Sequence, residues 1–146
     1  MIAPNKPNKP NKNVENLKWA YGLWIDTRGD SVEAWLTLIS DDFIVRSAAD
    51  SYIAAAFGAA PRGKEGARWY LRAMIETWEM QLYEVQRYVA DGDEVAVLAE
   101  VAYRHRKTNR IVGSQLANFW SFRDGKAVSM IELFDTEAVV AASQPS

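Results

Sequence analysis

The chain has 146 residues, a formal net charge of −2, one histidine and no cysteine. That length fits a single domain with one core, and the mildly acidic balance (pI about 5.5) argues against a general nucleic-acid or anionic-membrane surface, which needs a basic face. Without cysteine there is no disulfide framework, thiolate zinc site or cysteine nucleophile, and one histidine excludes a multi-histidine metal site within one subunit.

Residues 4–12 are three copies of Pro-Asn-Lys. Proline removes backbone donors, and Asn and Lys bury nothing, so residues 1–12 are expected to be a disordered tail before a single domain over 13–146. From Asn13, read as a cap, apolar residues at Val14, Leu17, Tyr21, Trp24 and Ile25 recur at helical spacing, with Trp19 and Leu23 widening the stripe. Gly29 supplies the stop. A shorter helix capped by Asp30 or Ser31 carries Val32, Trp35, Leu36 and Ile39 inward, and Phe43 to Ser47 reads as a strand. The Ala-rich stretch 48–64 reads as a loop with a helical turn around Tyr52–Phe57. It is either a lid or a packed insertion. A helix follows from Lys64 or Glu65 to Trp78, with Tyr70, Leu71, Met74 and Ile75 on one broad face.

Four strands then run in a meander, over about Gln81–Ala90, Val95–Arg106, Ile111–Phe122 and the stretch after Asp124-Gly125. Asp135 caps a last helix, Thr136 to Ala142. Helices and strands are segregated, which makes the class α+β. The expected architecture is a cone-shaped α+β barrel, a curved antiparallel sheet wrapped over the N-terminal helices around a hydrophobic pocket.

The hairpin Gly113–Asp135 carries the chemistry. Asp-Gly between apolar runs marks a tight turn. Alternation puts Val128, Met130, Glu132 and Phe134 on one face, and Ser114, Leu116, Asn118 and Trp120 on one face of the preceding strand. Glu132 is then a carboxylate in an apolar row beside Asn118. The pair suits acid/base chemistry, with Glu132 moving a proton and Asn118 donating to a developing oxyanion, and it equally suits a satisfied buried hydrogen bond. A loop at Lys107–Arg110 brings Val97, Ala99, Val101, Tyr103 and His105 to the same face. Tyr103 either donates to substrate or packs. His105 is a general acid/base candidate or a surface ring beside Arg104 and Arg106. Arg104, Arg106, Lys107 and Arg110 read as a solvated hairpin tip. The pocket is expected to draw on Tyr21, Trp24, Ser47, Trp78, Val101, Ser114, Leu116, Trp120 and Met130, the aromatics serving as core and pocket wall alike.

The segments Arg28–Asp30, Asp41–Val45, Arg62–Gly66, Ala90–Val97 and Phe122–Asp135, in that order and spacing, resemble the nuclear-transport-factor-2-like superfamily and its SnoaL-like branch. The resemblance covers nearly all of the chain after Asn13. Resemblance to SnoaL-type polyketide cyclases and to limonene epoxide hydrolase implicates Glu132 as an acid or base, with Asp135 matching the cyclases' second acid. The other epoxide hydrolase positions would fall at Val45, Ser47, Ala99 and Val101, which lack the needed groups. Ketosteroid isomerase's base position would fall at Ser47, and its oxyanion-hole acid at Asn118. The resemblance implies a metal- and cofactor-independent lyase, dehydratase, isomerase or cyclase. Its substrate would be a small hydrophobic molecule, aromatic (including lignin-derived diaryl compounds) or polycyclic. The alternative is a non-catalytic binding or dimerisation module. A homodimer through the sheet is expected, with no nucleic-acid or membrane partner. No apolar run is long enough to span a bilayer and the start lacks a signal-like apolar segment, so a cytoplasmic location is expected.

Overall fold

The structure is a computed structural model, and it describes residues 11–48 and 62–145. Residues 1–10 of the tail expected over 1–12, and most of the Ala-rich loop, residues 49–61, lie outside the described residues, while Asn11 and Lys12 belong to the first helix and its cap rather than to a tail.

Helix α1 spans Lys12–Asp26. Its cap is Asn11 rather than Asn13: the Asn11 side chain accepts from the Val14 N–H at 3.2 Å, a contact worth about 1 kcal/mol. Asn13 is instead buried in the first turn and donates to Asp93 in a distant turn at 3.3 Å. Leu17, Ala20, Tyr21 and Trp24 form the buried stripe, while Trp19 points outward. The helix closes through Arg28 and Gly29, both at positive φ. A side chain at Gly29 would start 2.6 Å from Ile75 Cγ2, so this turn needs glycine for space as well as for backbone.

Helix α2 is one short element, Val32–Leu36, with Ser31 at its cap position but making no side-chain capping bond. Strand β1, Ile39–Ser47, starts earlier than the apolar run suggests. Helix α3, Gly63–Thr77, is tied to α2 by a bidentate Arg68–Glu33 pair. Strands β2 (Trp78–Asp91), β3 (Glu94–His105), β4 (Ile111–Arg123) and β5 (Lys126–Leu133) follow, then helix α4, Thr136–Ser143. Asp135 caps α4 by accepting from Ala138 N–H at 3.0 Å.

The five strands make one sheet in the order β1-β5-β4-β3-β2. The sheet is curved and unclosed, with β1 and β2 at its edges. Expectation and structure differ at β1, which pairs parallel to β5 in an otherwise antiparallel sheet. The β4–β5 turn places Asp124 and Gly125 at positive φ, the backbone a two-residue hairpin demands. Between β3 and β4 the last ladder pair is Arg104 with Ile111. The loop is two residues longer than expected, and an even change leaves the inward parity intact.

The concave face packs on α1, α2 and α3. Trp35 stacks on Trp120 with ring centroids 5.5 Å apart, and Tyr21 meets Trp35 edge-on at 4.9 Å. Among the described residues no helix is long and apolar enough to cross a membrane.

Candidate active site

Glu132 sits in a lateral row across the sheet. Ser47 on β1 pairs with Glu132 on β5, Glu132 with Asn118 on β4, and Asn118 with Val97 on β3. All four are buried. The next row is Val45, Met130, Trp120 and Val95, all apolar and buried. The carboxylate therefore stands where the sheet turns from polar to apolar, with 8 % of its surface exposed.

Two cavities meet at Glu132. A small inner one of about 40 Å³ is bounded by Tyr21, Trp24, Asn118, Trp120 and Met130. A larger outer one of about 380 Å³ is bounded by Ser47, Trp78, Val101, Tyr103, His105, Ser114 and Leu116. Glu132, Tyr70, Met74 and Tyr83 border both. The expected catalytic and pocket residues each border one cavity or the other, but they divide: Asn118 belongs to the inner space, and His105 and Tyr103 to the outer, while Asp135, the match to the cyclases' second acid, caps α4 and borders neither.

Burial pushes the Glu132 carboxyl up to about 7, and a hydrogen bond from the Tyr70 hydroxyl to its Oε1 at 3.1 Å holds it from rising further. Desolvation disfavours the charged form, while a donor favours it. The result is a group that both accepts and releases a proton near neutral pH.

On the inner side, the Asn118 amide and the Tyr21 hydroxyl lie 2.5 Å apart, and the Trp120 indole N–H donates to the same hydroxyl at 3.0 Å. The Asn118 Oδ1 is buried without a hydrogen-bond partner of good geometry. Burial drives the Tyr21 phenol well above its usual pKa, so it stays protonated.

The outer side holds two further polar groups. The Tyr103 hydroxyl is buried with no hydrogen bond of good geometry. Burial lifts its pKa, eased chiefly by the nearby Trp24 indole. His105 is buried, so the surface reading is corrected. Its Nδ1 accepts from the Thr108 backbone N–H at 3.2 Å, and its ring lies edge-on to Trp78 at 4.7 Å. Burial and then Lys107 push its pKa down. A neutral ring accepting at Nδ1 carries its proton on Nε2, which makes His105 a donor. The Ser114 hydroxyl is already engaged: it donates to Gln115 O and accepts from Asp135 N–H.

The basic hairpin tip is structural rather than simply solvated. Arg104 pairs with Glu79 and Asn109. Arg106 donates to Ile75 O near the end of α3, and Arg110 and Thr108 donate to Ala141 O and Ala142 O of α4. Cations at helix C-termini also oppose the helix dipole. These bonds hold α4, whose Val139 and Val140 line the outer cavity, against the sheet.

Two pocket tyrosines carry no clear polar signal in the sequence. Tyr70 falls within an apolar helix face, and Tyr83 lies on a strand whose bulges between Met80 and Leu82 and between Val85 and Arg87 break its alternation. A phenol on the inward stripe of α3 was the one available signal for Tyr70. Among the described residues no cluster of His, Asp or Glu could hold a metal ion.

The SnoaL-like domain family model matches residues 25–130. Among solved structures, an NTF2-like protein of unknown function from Burkholderia pseudomallei superposes with a TM-score of 0.79 at 16% identity, covering 92% of this chain and 99% of that one. A candidate SnoaL-like polyketide cyclase from Jannaschia sp. CCS1 gives 0.75 at 20% identity, over 97% and 100% of the two chains. TerC, co-crystallized with polyporic acid, gives 0.72 at 19% identity, over 91% and 98%. No curated protein matches the sequence. The chain belongs to the SnoaL-like domain family of the NTF2-like superfamily, and these likenesses fix its fold.

Proposed function

We propose that this SnoaL-like protein is a cofactor-independent acid/base enzyme, an isomerase, cyclase, dehydratase or lyase acting on a small aromatic or polycyclic substrate. The observation that carries the reading is Glu132, a buried carboxyl held near pKa 7 on the wall of a 380 Å³ apolar cavity. In its ionised form Glu132 takes a proton from carbon or hydroxyl. The same carboxyl then returns the proton to another position, giving isomerisation or ring closure, or to a leaving oxygen, giving elimination. Negative charge developing on a substrate oxygen would be met by the Tyr103 hydroxyl and His105 Nε2–H on the outer side, with Asn118 behind Glu132. Trp69, Trp78 and Phe134 on the cavity wall suit flat aromatic rings, and the polyporic acid held by TerC is consistent with such a ligand in this fold.

The test is a panel of aromatic ketones, enones and diaryl diols assayed with wild type and Glu132→Gln. Turnover by wild type that falls at least about a hundredfold in the variant supports the reading, since positioned acid/base groups contribute about that much or more. Equal turnover by both sinks it. Ligand binding that ignores Glu132→Gln, with no product from either protein, favours a non-catalytic binding module.

A homodimer through the outer sheet face is part of the same proposal. Phe119 pairs with Ile131 and Ala117 with Leu133 across β4–β5, and Phe119, Ile131 and Leu133 are all exposed. Adjacent apolar residues on an open sheet face favour self-association. Sedimentation as a monomer at micromolar concentration would contradict it.

A further inference from the structure

His105 and Glu132 line the same outer cavity but stand far apart along the sheet. Glu132 is level with Asn118 on β4 and Val97 on β3. From Val97 to His105 the same strand runs on for about 26 Å of extended chain, at about 3.3 Å per residue. The curve of the sheet shortens that path across the concave face, yet three rows of side chains stand between the two groups. They are Leu116 with Ala99, Ser114 with Val101, and Val112 with Tyr103. A ligand atom in contact with one group is out of reach of the other.

The His105 ring is fixed before any ligand arrives. Its backbone N–H donates to Arg110 O and its carbonyl accepts from Asn109 N–H, each at 2.8 Å. Trp78, its partner across β2–β3, meets the ring edge-on. Nδ1 accepts from the Thr108 N–H, and the Thr108 hydroxyl donates in turn to Ala142 O of α4. A backbone donor at Nδ1 leaves the proton of the neutral ring on Nε2. Nε2 itself makes no hydrogen bond among the described residues. Nor is it one of the side-chain atoms there that are sealed away without a partner, which are Ser31 Oγ, Trp35 Nε1, Tyr103 Oη and Asn118 Oδ1. With the ring otherwise buried, the open surface at Nε2 belongs to the cavity that His105 lines.

We infer that His105 is a specificity-determining residue at the far end of the outer cavity, where its Nε2–H holds an acceptor oxygen of the ligand remote from the bond at Glu132. The ligand is then an elongated molecule, with at least two aromatic rings in line and a carbonyl or similar oxygen at the end away from Glu132. Val101, Leu116, Met74 and Phe134 give the apolar wall between. Charge generated at Glu132 reaches that oxygen only along a conjugated framework. The electron pair of the broken C–H bond moves through it to the oxygen, and the proton stays on Glu132 until it is returned. Thr108 is a positioning residue, since it sets the tautomer of the ring and ties it to α4. The inference rests on the outer cavity being the ligand site, as the proposed function has it.

The test needs no turnover. The probe is trans-4-acetylstilbene, with trans-4-ethylstilbene as its oxygen-free analogue, at about pH 9, where Glu132, with a pKa of about 7, is ionised and cannot donate. The chain has one histidine, so nitrogen-15 NMR of the imidazole reports His105 without ambiguity, and the Glu132 carboxyl carbon reports the other end. The ketone is expected to move both signals, Nε2 downfield, and to bind about fivefold tighter than the analogue, the size of one neutral hydrogen bond. In His105→Phe the two stilbenes bind equally, and in Glu132→Gln the fivefold ratio persists. Acetophenone, with the same oxygen on one ring, moves Nε2 and leaves the Glu132 carbon still. Equal binding of the two stilbenes by wild type, a fivefold ratio that survives in folded His105→Phe, acetophenone moving both signals, or no binding of the ketone up to its solubility limit would each overturn the inference. The wild-type readouts decide it if His105→Phe does not fold. Failure of the acid/base reading alone would show as unchanged turnover in Glu132→Gln with the fivefold ratio intact.

Discussion

The inner and outer cavities share Glu132, Tyr70, Met74 and Tyr83 and differ in size and in the rest of their walls. The inner space, about 40 Å³, is walled by stacked aromatics and by the Trp120–Tyr21–Asn118 hydrogen bonds. It resembles core in its packing, although the Asn118 Oδ1 and the Trp35 indole N–H on its wall are buried without a hydrogen-bond partner. The outer space, about 380 Å³, carries the Tyr103 hydroxyl, buried without a good partner, and a neutral His105. A folded protein seldom leaves a buried hydroxyl unmet without a use for it. Under the proposed function, the inner side sets the energy of Glu132 by desolvation and the outer side holds the substrate.

The largest effect that would break this contrast is on stability. Glu132 titrates near 7 folded against an ordinary 4.5, a difference worth about 3 kcal/mol. Because the folded pKa is raised, the stabilisation is fully present below about pH 4.5 and is lost as pH rises to about 7. Denaturant unfolding of wild type should therefore lose up to about 3 kcal/mol across that window relative to Glu132→Gln. Parallel curves for the two proteins would mean that the carboxyl is not desolvated.

Tyr70→Phe sharpens the comparison at its boundary. Removing the donor favours the protonated carboxyl, so the pH at which Glu132 ionises should move upward by roughly half to one unit. The midpoint of the rising limb of the pH–rate profile reads this directly, and a downward move would show that Tyr70 acts otherwise. Tyr103→Phe gives the smallest change in stability, neutral or slightly positive, because it deletes a buried hydroxyl that has no good partner. Thermal unfolding checks this, and a loss above about 2 kcal/mol would reveal a structural bond at Tyr103.

Legibility in the sequence followed the range of the interactions. Glu132 and Asn118 were readable as neighbours because a two-residue Asp-Gly turn fixes register and alternation does the rest. The row from Val97 to His105 survived a misjudged loop length because the error was even. Tyr83 was lost to two bulges that no local pattern announces. Tyr70 was lost because the roll of α3 against the sheet is set by tertiary packing, and the parallel pairing of β1 with β5 joins segments far apart in the chain. The choice between Asn11 and Asn13 as cap turned on a long-range bond to Asp93. The chemistry of the pair was thus visible early, whereas the groups that tune it came only with the assembled fold.

The most direct test of the central claim is the titration of the Glu132 side-chain carboxyl by carbon-detected NMR, with Glu132→Gln assigning the resonance. The account predicts a midpoint near 7. A midpoint at the ordinary value for glutamate, about 4.3, would contradict it and leave Glu132 a solvated or paired carboxylate with no role in proton transfer.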